Sequence, residues 1–144
     1  MSGVRNPAPV LLWDEDPARL ALWTSAAPAA GLDGQLRPAG SAEEARRHLG
    51  SEDFRQGSPL LLLTLHPAQA VYDFLEWVRA ERLRRRSLIV ALIPSGATAH
   101  VSRLYDLGVH SCLTAPHTAE EARMLLSSIR QYWDVLNVPP VRTA

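Results

Sequence analysis

The chain has 144 residues, enough for one domain of ordinary size and too few for two. Fifteen basic and fifteen acidic residues give a formal net charge of zero, and all fifteen basic residues are arginines. The absence of lysine excludes a Schiff-base lysine, a P-loop lysine and a lysine general base, and the neutral balance argues against nucleic acid or an anionic membrane as a partner.

Cysteine content and hydropathy narrow the class of protein further. Cys112 is the single cysteine of the sequence, so it forms no internal disulfide and, by itself, no zinc site. The strongly apolar runs, such as Leu60–Leu63, are strand-sized and far shorter than the roughly 18–20 residues of a membrane span. Met1–Pro9 lacks the pattern of a secretory signal. We therefore expect a cytoplasmic protein.

The first third of the chain predicts two strands and two helices. Val10–Trp13 is apolar throughout, which is typical of a strand buried on both faces of a parallel sheet. Asp16 followed by Pro17 predicts the start of a helix that ends by Pro28–Gly31. Gln35–Ala39 is a second strand, and its proline places it at a sheet edge. The next helix opens with the capping box Ser41–Glu44, runs through Leu49 and stops at Gly50.

The middle of the chain continues the alternation. Ser51–Pro59 is predicted to be a polar loop, and Leu60–Leu65 is the third strand. A helix follows Pro67 and ends in Arg82–Arg86, an arginine run that we interpret as a solvated helix terminus. Leu88–Ile93 is the fourth strand. The apolar face of the intervening helix consists of Val71, Phe74, Leu75 and Val78.

The last third supplies the fifth strand and the final helix. Thr98 is predicted to cap a fourth helix that Gly108 terminates, and Ser111–Thr114 is the fifth strand. A second capping box, Thr118–Glu121, opens the last helix, and residues 139–144 form a tail. The apolar stripe of this helix consists of Ala122, Leu125, Leu126, Ile129, Trp133 and Leu136.

Five strands alternating with five helices predict an α/β domain over residues 10–138, preceded by a flexible arm at residues 1–9. Right-handed crossovers and an edge position for strand two give a three-layer, doubly wound, flavodoxin-like parallel sheet of order 2-1-3-4-5. Asp14, Glu15 and Asp16 then lie at the crevice beyond the carboxyl ends of strands one and three. Such carboxylates either hold Mg²⁺ or are only a solvated loop and a helix cap.

Three segments, Val10–Pro17, Ser41–Ala45 and Leu104–Pro116, resemble the receiver domain of two-component response regulators, and so does the order of elements between them. Ile129–Pro139 resembles the stand-alone receivers associated with bacterial phytochrome kinases. The resemblance spans residues 10–140 and implies the CheY-like version of the predicted fold. It also implies an acidic pair that binds Mg²⁺, a strand-three aspartate that accepts a phosphoryl group, a strand-four hydroxyl, and a strand-five lysine before a cis proline.

This chain matches only part of that pattern. Asp14 and Glu15 match the acidic pair, whereas the phosphoacceptor position falls on Leu63 or Thr64. Neither residue is a carboxylate nucleophile, and Ala115, at the position of the lysine, offers no charge to a phosphoryl group. We therefore expect lost phosphotransfer and weak or absent Mg²⁺ binding. The remaining mismatches to the resembling family are Ile93 at the hydroxyl, Ala115 at the lysine before Pro116, and Cys112 at the aromatic switch residue.

The resulting hypothesis is a non-enzymatic pseudo-receiver that acts by protein–protein interaction, with a sensor histidine kinase or another signalling protein as partner. An alternative is a small-molecule or metal sensor that uses a crevice formed by Asp14, Glu15, Thr64 and His66. We interpret His66 as a loop histidine and Cys112, between His110 and His117, as a packed thiol rather than a nucleophile. We also expect a homodimer through Val101, Tyr105, Tyr132, Trp133 and Leu136, since aromatic side chains are favoured interface anchors.

Overall fold

The computed structural model describes residues 9–32, 34–55, 58–65, 68–81 and 87–136, with side chains described as far as residue 132. Its five strands form one all-parallel sheet in the order β2-β1-β3-β4-β5, which confirms the predicted fold class. The second and third strands are each one residue shorter than predicted. The strands are β1 (Val10–Trp13), β2 (Leu36–Ala39), β3 (Leu60–Thr64), β4 (Leu88–Ile93) and β5 (Ser111–Thr114).

Six helices lie in the described part of the chain, with two further 3-10 turns at Pro28–Ala30 and Thr98–His100. None of these helices is both long and apolar enough to cross a membrane. The helices are α1 (Pro17–Ala26), α2 (Ala42–Leu49), α3 (Glu52–Arg55), α4 (Ala68–Ala80), α5 (Val101–Asp106) and α6 (Ala119–Leu136).

The sheet separates two apolar cores because successive strand residues point to opposite faces. One core lies between the sheet and helices α1 and α6, and Leu12, Trp23 and Leu126 belong to it. The other lies under α2, α3, α4 and α5, and Trp13 and Phe74 belong to it. Both faces of the central strands are therefore covered, as their unbroken apolar sequences predicted.

Side-chain caps start the helices where the sequence predicted them. Asp16 accepts the backbone N–H of Ala18 at 3.0 Å, at the start of α1. Ser41 Oγ accepts the N–H of Glu44, and Thr118 Oγ1 accepts that of Glu121, both at 3.1 Å. These bonds satisfy amides that have no partner inside a helix. The two predicted helix starts and their N-cap bonds are confirmed, whereas the Glu44 and Glu121 carboxylates bind the backbone N–H of the residue before each cap.

Three details of the predicted elements were wrong. The loop predicted over Ser51–Pro59 contains α3, because Phe54 is only 3% exposed and draws one helical turn onto the core. Thr98 does not cap a helix; it lies inside a 3-10 turn that follows Ala97, and α5 begins only at Val101. Helix α4 ends at Ala80, before the arginine run of residues 82–86, which lies outside the described residues.

Candidate functional site

Asp14 follows β1 directly and is completely buried. Its backbone N–H donates to Ala39 O of β2 at 3.0 Å, so the residue continues the ladder beyond the last β1 residue. The preceding residue, Trp13, pairs with Ala39 and with Leu63 of β3. Asp14 therefore lies at the carboxyl edge of the central strands, where the sequence predicted the acidic crevice.

Four hydrogen bonds from the chain itself reach the Asp14 carboxylate. Oδ1 accepts the backbone N–H of Asp16 at 3.0 Å and Nη2 of Arg19 at 3.1 Å. Oδ2 accepts Nε of Arg19 at 2.5 Å and the indole Nε1 of Trp23 at 3.2 Å. An ionised carboxylate offers about four lone-pair sites. Donors of the protein therefore saturate this carboxylate.

Helix α1 places these donors. The Asp16 cap and Pro17 fix its first turn, so that Arg19 and Trp23, four residues apart, lie on the same side of the helix and reach back to the end of β1. The Trp23 ring is also part of the core, as predicted. Sequence reasoning missed both residues as ligands of Asp14. The available signal was an arginine five positions after a buried strand-end aspartate.

The predicted acidic pair is divided between the interior and the solvent. Asp14 is buried, Glu15 is exposed, and Asp16 is occupied as the cap of α1. Within the described residues, no group of three or more histidine, cysteine, aspartate or glutamate side chains could hold a metal ion. With both Asp14 oxygens already bonded, the side chains at this edge do not fit the resident Mg²⁺ that the receiver resemblance implies.

The positions expected to handle phosphate on β3 and β4 are closed by packing. Leu63 is fully buried, pairs with Trp13 and Ala91, and belongs to the core under α4. Ile93 at the end of β4 is 7% exposed. Thr64 is 1% exposed, and its Oγ1 has no hydrogen-bond partner within the part of the chain that the structure describes. The edge thus presents no accessible nucleophile at either candidate phosphoacceptor.

Ala115 and Pro116 are buried beyond the end of β5 and contribute to a cleft of about 410 Å³ between this strand and α6. Of the residues predicted to form the phosphorylation pocket, this cleft includes Ala115 and Pro116 and does not include Asp14, Leu63, Thr64 or Ile93. Its other lining residues are Ser95, Thr114, His117, Glu121, Met124, Leu125 and Ser128.

The remaining candidate side chains are engaged in local structure. His110 Nδ1 accepts the backbone N–H of Ile89 at 3.0 Å, and the backbone N–H of His117 donates to the Glu121 carboxylate at 3.0 Å. Burial raises the pKa of the Cys112 thiol, and a hydrogen bond from Tyr105 partly offsets this rise. A raised pKa disfavours the reactive thiolate. His66 lies outside the described residues.

The chain is similar to known proteins in its three-dimensional structure. No family model matches the sequence, and no curated protein matches it. A response regulator receiver domain from Rhodospirillum rubrum superposes with a TM-score of 0.70 at 22% identity, over 90% of this chain and 96% of that chain. The chain has the receiver-domain fold.

Two further solved structures, one of a phytochrome response regulator and one of a response regulator with bound Mn²⁺, are similar to this chain. The phosphorylated cyanobacterial phytochrome response regulator RcpA gives a TM-score of 0.71 at 19% identity, over 92% of this chain and 98% of that chain. The Mn²⁺-bound form of response regulator Rcp1 gives 0.68 at 21% identity, over 95% and 100%. Nearly the whole receiver fold is therefore shared with these proteins.

The predicted interface residues of the receiver fold fall into three groups. Val101 is partly buried and packs against the core under α4. Tyr105 on α5 and Tyr132 on α6 are exposed, by 48% and 57%. The side chains of Trp133 and Leu136 lie outside the described residues. Sequence reasoning missed Met124 on α6, which is 56% exposed.

Proposed function

We propose that this chain is a pseudo-receiver, a non-enzymatic signalling domain of the two-component type that acts by protein–protein contact and does not depend on phosphorylation. The observation that carries the proposal is the saturation of Asp14 by Asp16, Arg19 and Trp23. The proposed location is cytoplasmic. The proposed partners are a second copy of the chain and a sensor histidine kinase or another signalling protein, and they include neither nucleic acid nor membrane.

The chemistry of the edge supports the loss of phosphotransfer. Attack on a phosphoryl donor needs an activated nucleophile, and the buried Leu63 and Thr64 supply neither a carboxylate nor an accessible hydroxyl. Charge that develops on a transferring phosphoryl group must be met by a cation or strong donors. Ala115 brings neither, and the guanidinium of Arg19 is already committed to Asp14.

Exposed apolar side chains support an interaction role. In the described residues, the large hydrophobic side chains that are exposed are Tyr105, Met124 and Tyr132. We call these three the β5-edge surface. Helix α5, which carries Tyr105, and helix α6, which carries the other two, pack on opposite faces of the sheet whose edge strand is β5. Aromatic and methionine side chains are enriched in protein interfaces. We propose this surface as the homodimer contact.

The alternative of a metal or small-molecule sensor in the acidic crevice has less support. Asp14 and Thr64, two of its expected lining residues, are buried, and the carboxylate has no lone pair left for a ligand. The cleft of about 410 Å³ beside Ala115 lies elsewhere at this end of the molecule.

Intact-mass measurement tests the proposed function. The protein is incubated with acetyl phosphate and Mg²⁺, and then with a purified sensor histidine kinase, with an active receiver treated in parallel as the positive control. We expect the mass to remain unchanged under conditions that modify the control. A stable mass increase of one phosphoryl group would contradict the proposal.

A further inference from the structure

We propose that the Arg19 guanidinium takes the place of a divalent cation at Asp14, so that the chain carries a permanent counterion of its own at the carboxyl end of β1. The inference deepens the proposed function, because a site already filled by its own cation has no need of Mg²⁺. It rests on the contacts of Asp14 alone, and it stands whether or not the chain dimerises.

The negative charge of Asp14 at the buried end of β1 is balanced by Arg19. A carboxylate with no solvent exposure is costly unless it is paired and hydrogen-bonded. Arg19 meets both oxygens of Asp14 at once, with Nε on Oδ2 at 2.5 Å and Nη2 on Oδ1 at 3.1 Å. This bidentate contact is the geometry in which a guanidinium binds a carboxylate best. The positive charge that a metal would bring is therefore already present.

The Asp14 carboxylate has no position left at which a metal ion could coordinate. A divalent cation binds through carboxylate lone pairs, and Asp14 has none free while Arg19, Trp23 and the Asp16 amide donate to it. A metal ion could bind Asp14 only after the two arginine bonds broke. It would also have to bind beside the positive charge of the guanidinium.

The fold holds the Arg19 guanidinium in a fixed position. Arg19 lies in the first turn of α1, and its side chain is only 24% exposed. Trp23, one turn further on, is fully buried and donates to the same carboxylate, which prevents Asp14 from turning towards solvent. A bound Mg²⁺ can be removed by a chelator, whereas this counterion is covalently part of the chain.

The test is a titration of the full chain with Mn²⁺ alone, followed by electron paramagnetic resonance of the free ion. We expect Arg19→Gln to gain a Mn²⁺ site with a Kd in the millimolar range or tighter, since it leaves Asp14 beside the exposed Glu15 with free lone pairs. The wild type should not bind in that range. Arg123→Gln is the matched control, because it removes one arginine from an exposed ion pair with Glu120 and should behave as the wild type does.

The indole N–H signal of Trp23 locates the bound ion by NMR, since paramagnetic Mn²⁺ broadens only nearby protons. Selective broadening in Arg19→Gln and not in the wild type supports the proposal, and equal broadening in both proteins would overturn it. Absence of Mn²⁺ binding by folded Arg19→Gln would overturn it as well. If the variant is unfolded, Mn²⁺ should restore its fold, and failure to do so at saturating ion would count against the proposal. None of these outcomes involves a phosphoryl group, so they are independent of the intact-mass result.

Discussion

Asp14 and Thr64 are both buried polar residues at the carboxyl edge of the sheet, yet their surroundings differ. The carboxylate accepts four hydrogen bonds, and the hydroxyl has no partner within the described residues. The hydrogen-bonding positions of the Asp14 carboxylate are therefore all filled. The Thr64 hydroxyl carries a desolvation cost that no hydrogen bond from the described residues offsets.

Thr64→Val, which is close to isosteric, tests this view of the hydroxyl. We expect the free energy of unfolding to stay unchanged or to rise by up to about 2 kcal/mol, because the desolvation cost is removed. The control is Thr118→Val, which loses the cap bond to Glu121 and should destabilise by about 1 kcal/mol. Urea denaturation with unchanged m-values measures both. A larger loss for Thr64→Val than for Thr118→Val would show that the hydroxyl has a partner.

The hydroxyl of Tyr105 influences the reactivity of the Cys112 thiol. Burial raises the pKa of its thiol and the hydrogen bond from Tyr105 lowers it, so Tyr105→Phe should raise the pKa further. A higher pKa means less thiolate at neutral pH and therefore slower alkylation by iodoacetamide. Tyr132→Phe is the control, because it removes the hydroxyl of another exposed tyrosine. Equal alkylation rates for the two variants would argue against a role for the Tyr105 hydroxyl.

At the scale of elements, continuous apolar runs and caps predicted most of the fold. Val10–Trp13 and Leu88–Ile93 have the same bounds in the sequence prediction and in the structure, because an all-apolar run between polar or proline residues has one stable place, the centre of a covered sheet. Helix α3 was missed for the opposite reason. Four residues cannot form a stable helix on local propensity alone, and the burial of Phe54 adds the tertiary packing that holds the turn against the core.

Phe54→Ala tests whether α3 belongs to the core. Because Phe54 is 3% exposed, we expect a loss of about 3–5 kcal/mol in the free energy of unfolding. Asp53→Ala in the same turn removes only an exposed ion pair with Arg37, at 3.6 Å, and should change stability by less than about 1 kcal/mol. Thermal and urea unfolding compare the two. Similar small effects would mean that α3 is a surface turn without a structural role.

At the scale of the whole molecule, the sequence predicted the sheet order and the position of Asp14 but not the state of that residue. Topology follows from the alternation of strands and helices, whereas the pairing of Asp14 with Arg19 depends on the direction of α1 relative to β1. Hydrophobic periodicity carries no information about such a polar contact, because it records only which positions are apolar. Only the side-chain geometry therefore shows that Asp14 is not a free acidic group.

The β5-edge surface is the proposed contact between two copies of the chain. Met124→Asp places a charge on this surface, and since the side chain is 56% exposed, the fold should tolerate it while the dimer weakens. Ala21→Asp, on the exposed side of α1, is the matched control and should leave the mass in solution unchanged. Sedimentation velocity over a range of concentrations measures both variants. Equal weakening of the dimer by both would place the contact elsewhere.

In the proposed function, this receiver fold acts through protein contact without phosphorylation. Size-exclusion light scattering of the wild type, run with and without acetyl phosphate and Mg²⁺, tests this proposal. We expect a mass of about twice the 15.9 kDa of one chain in both conditions. A chain that is monomeric alone and dimerises only when acetyl phosphate and Mg²⁺ are present would contradict it.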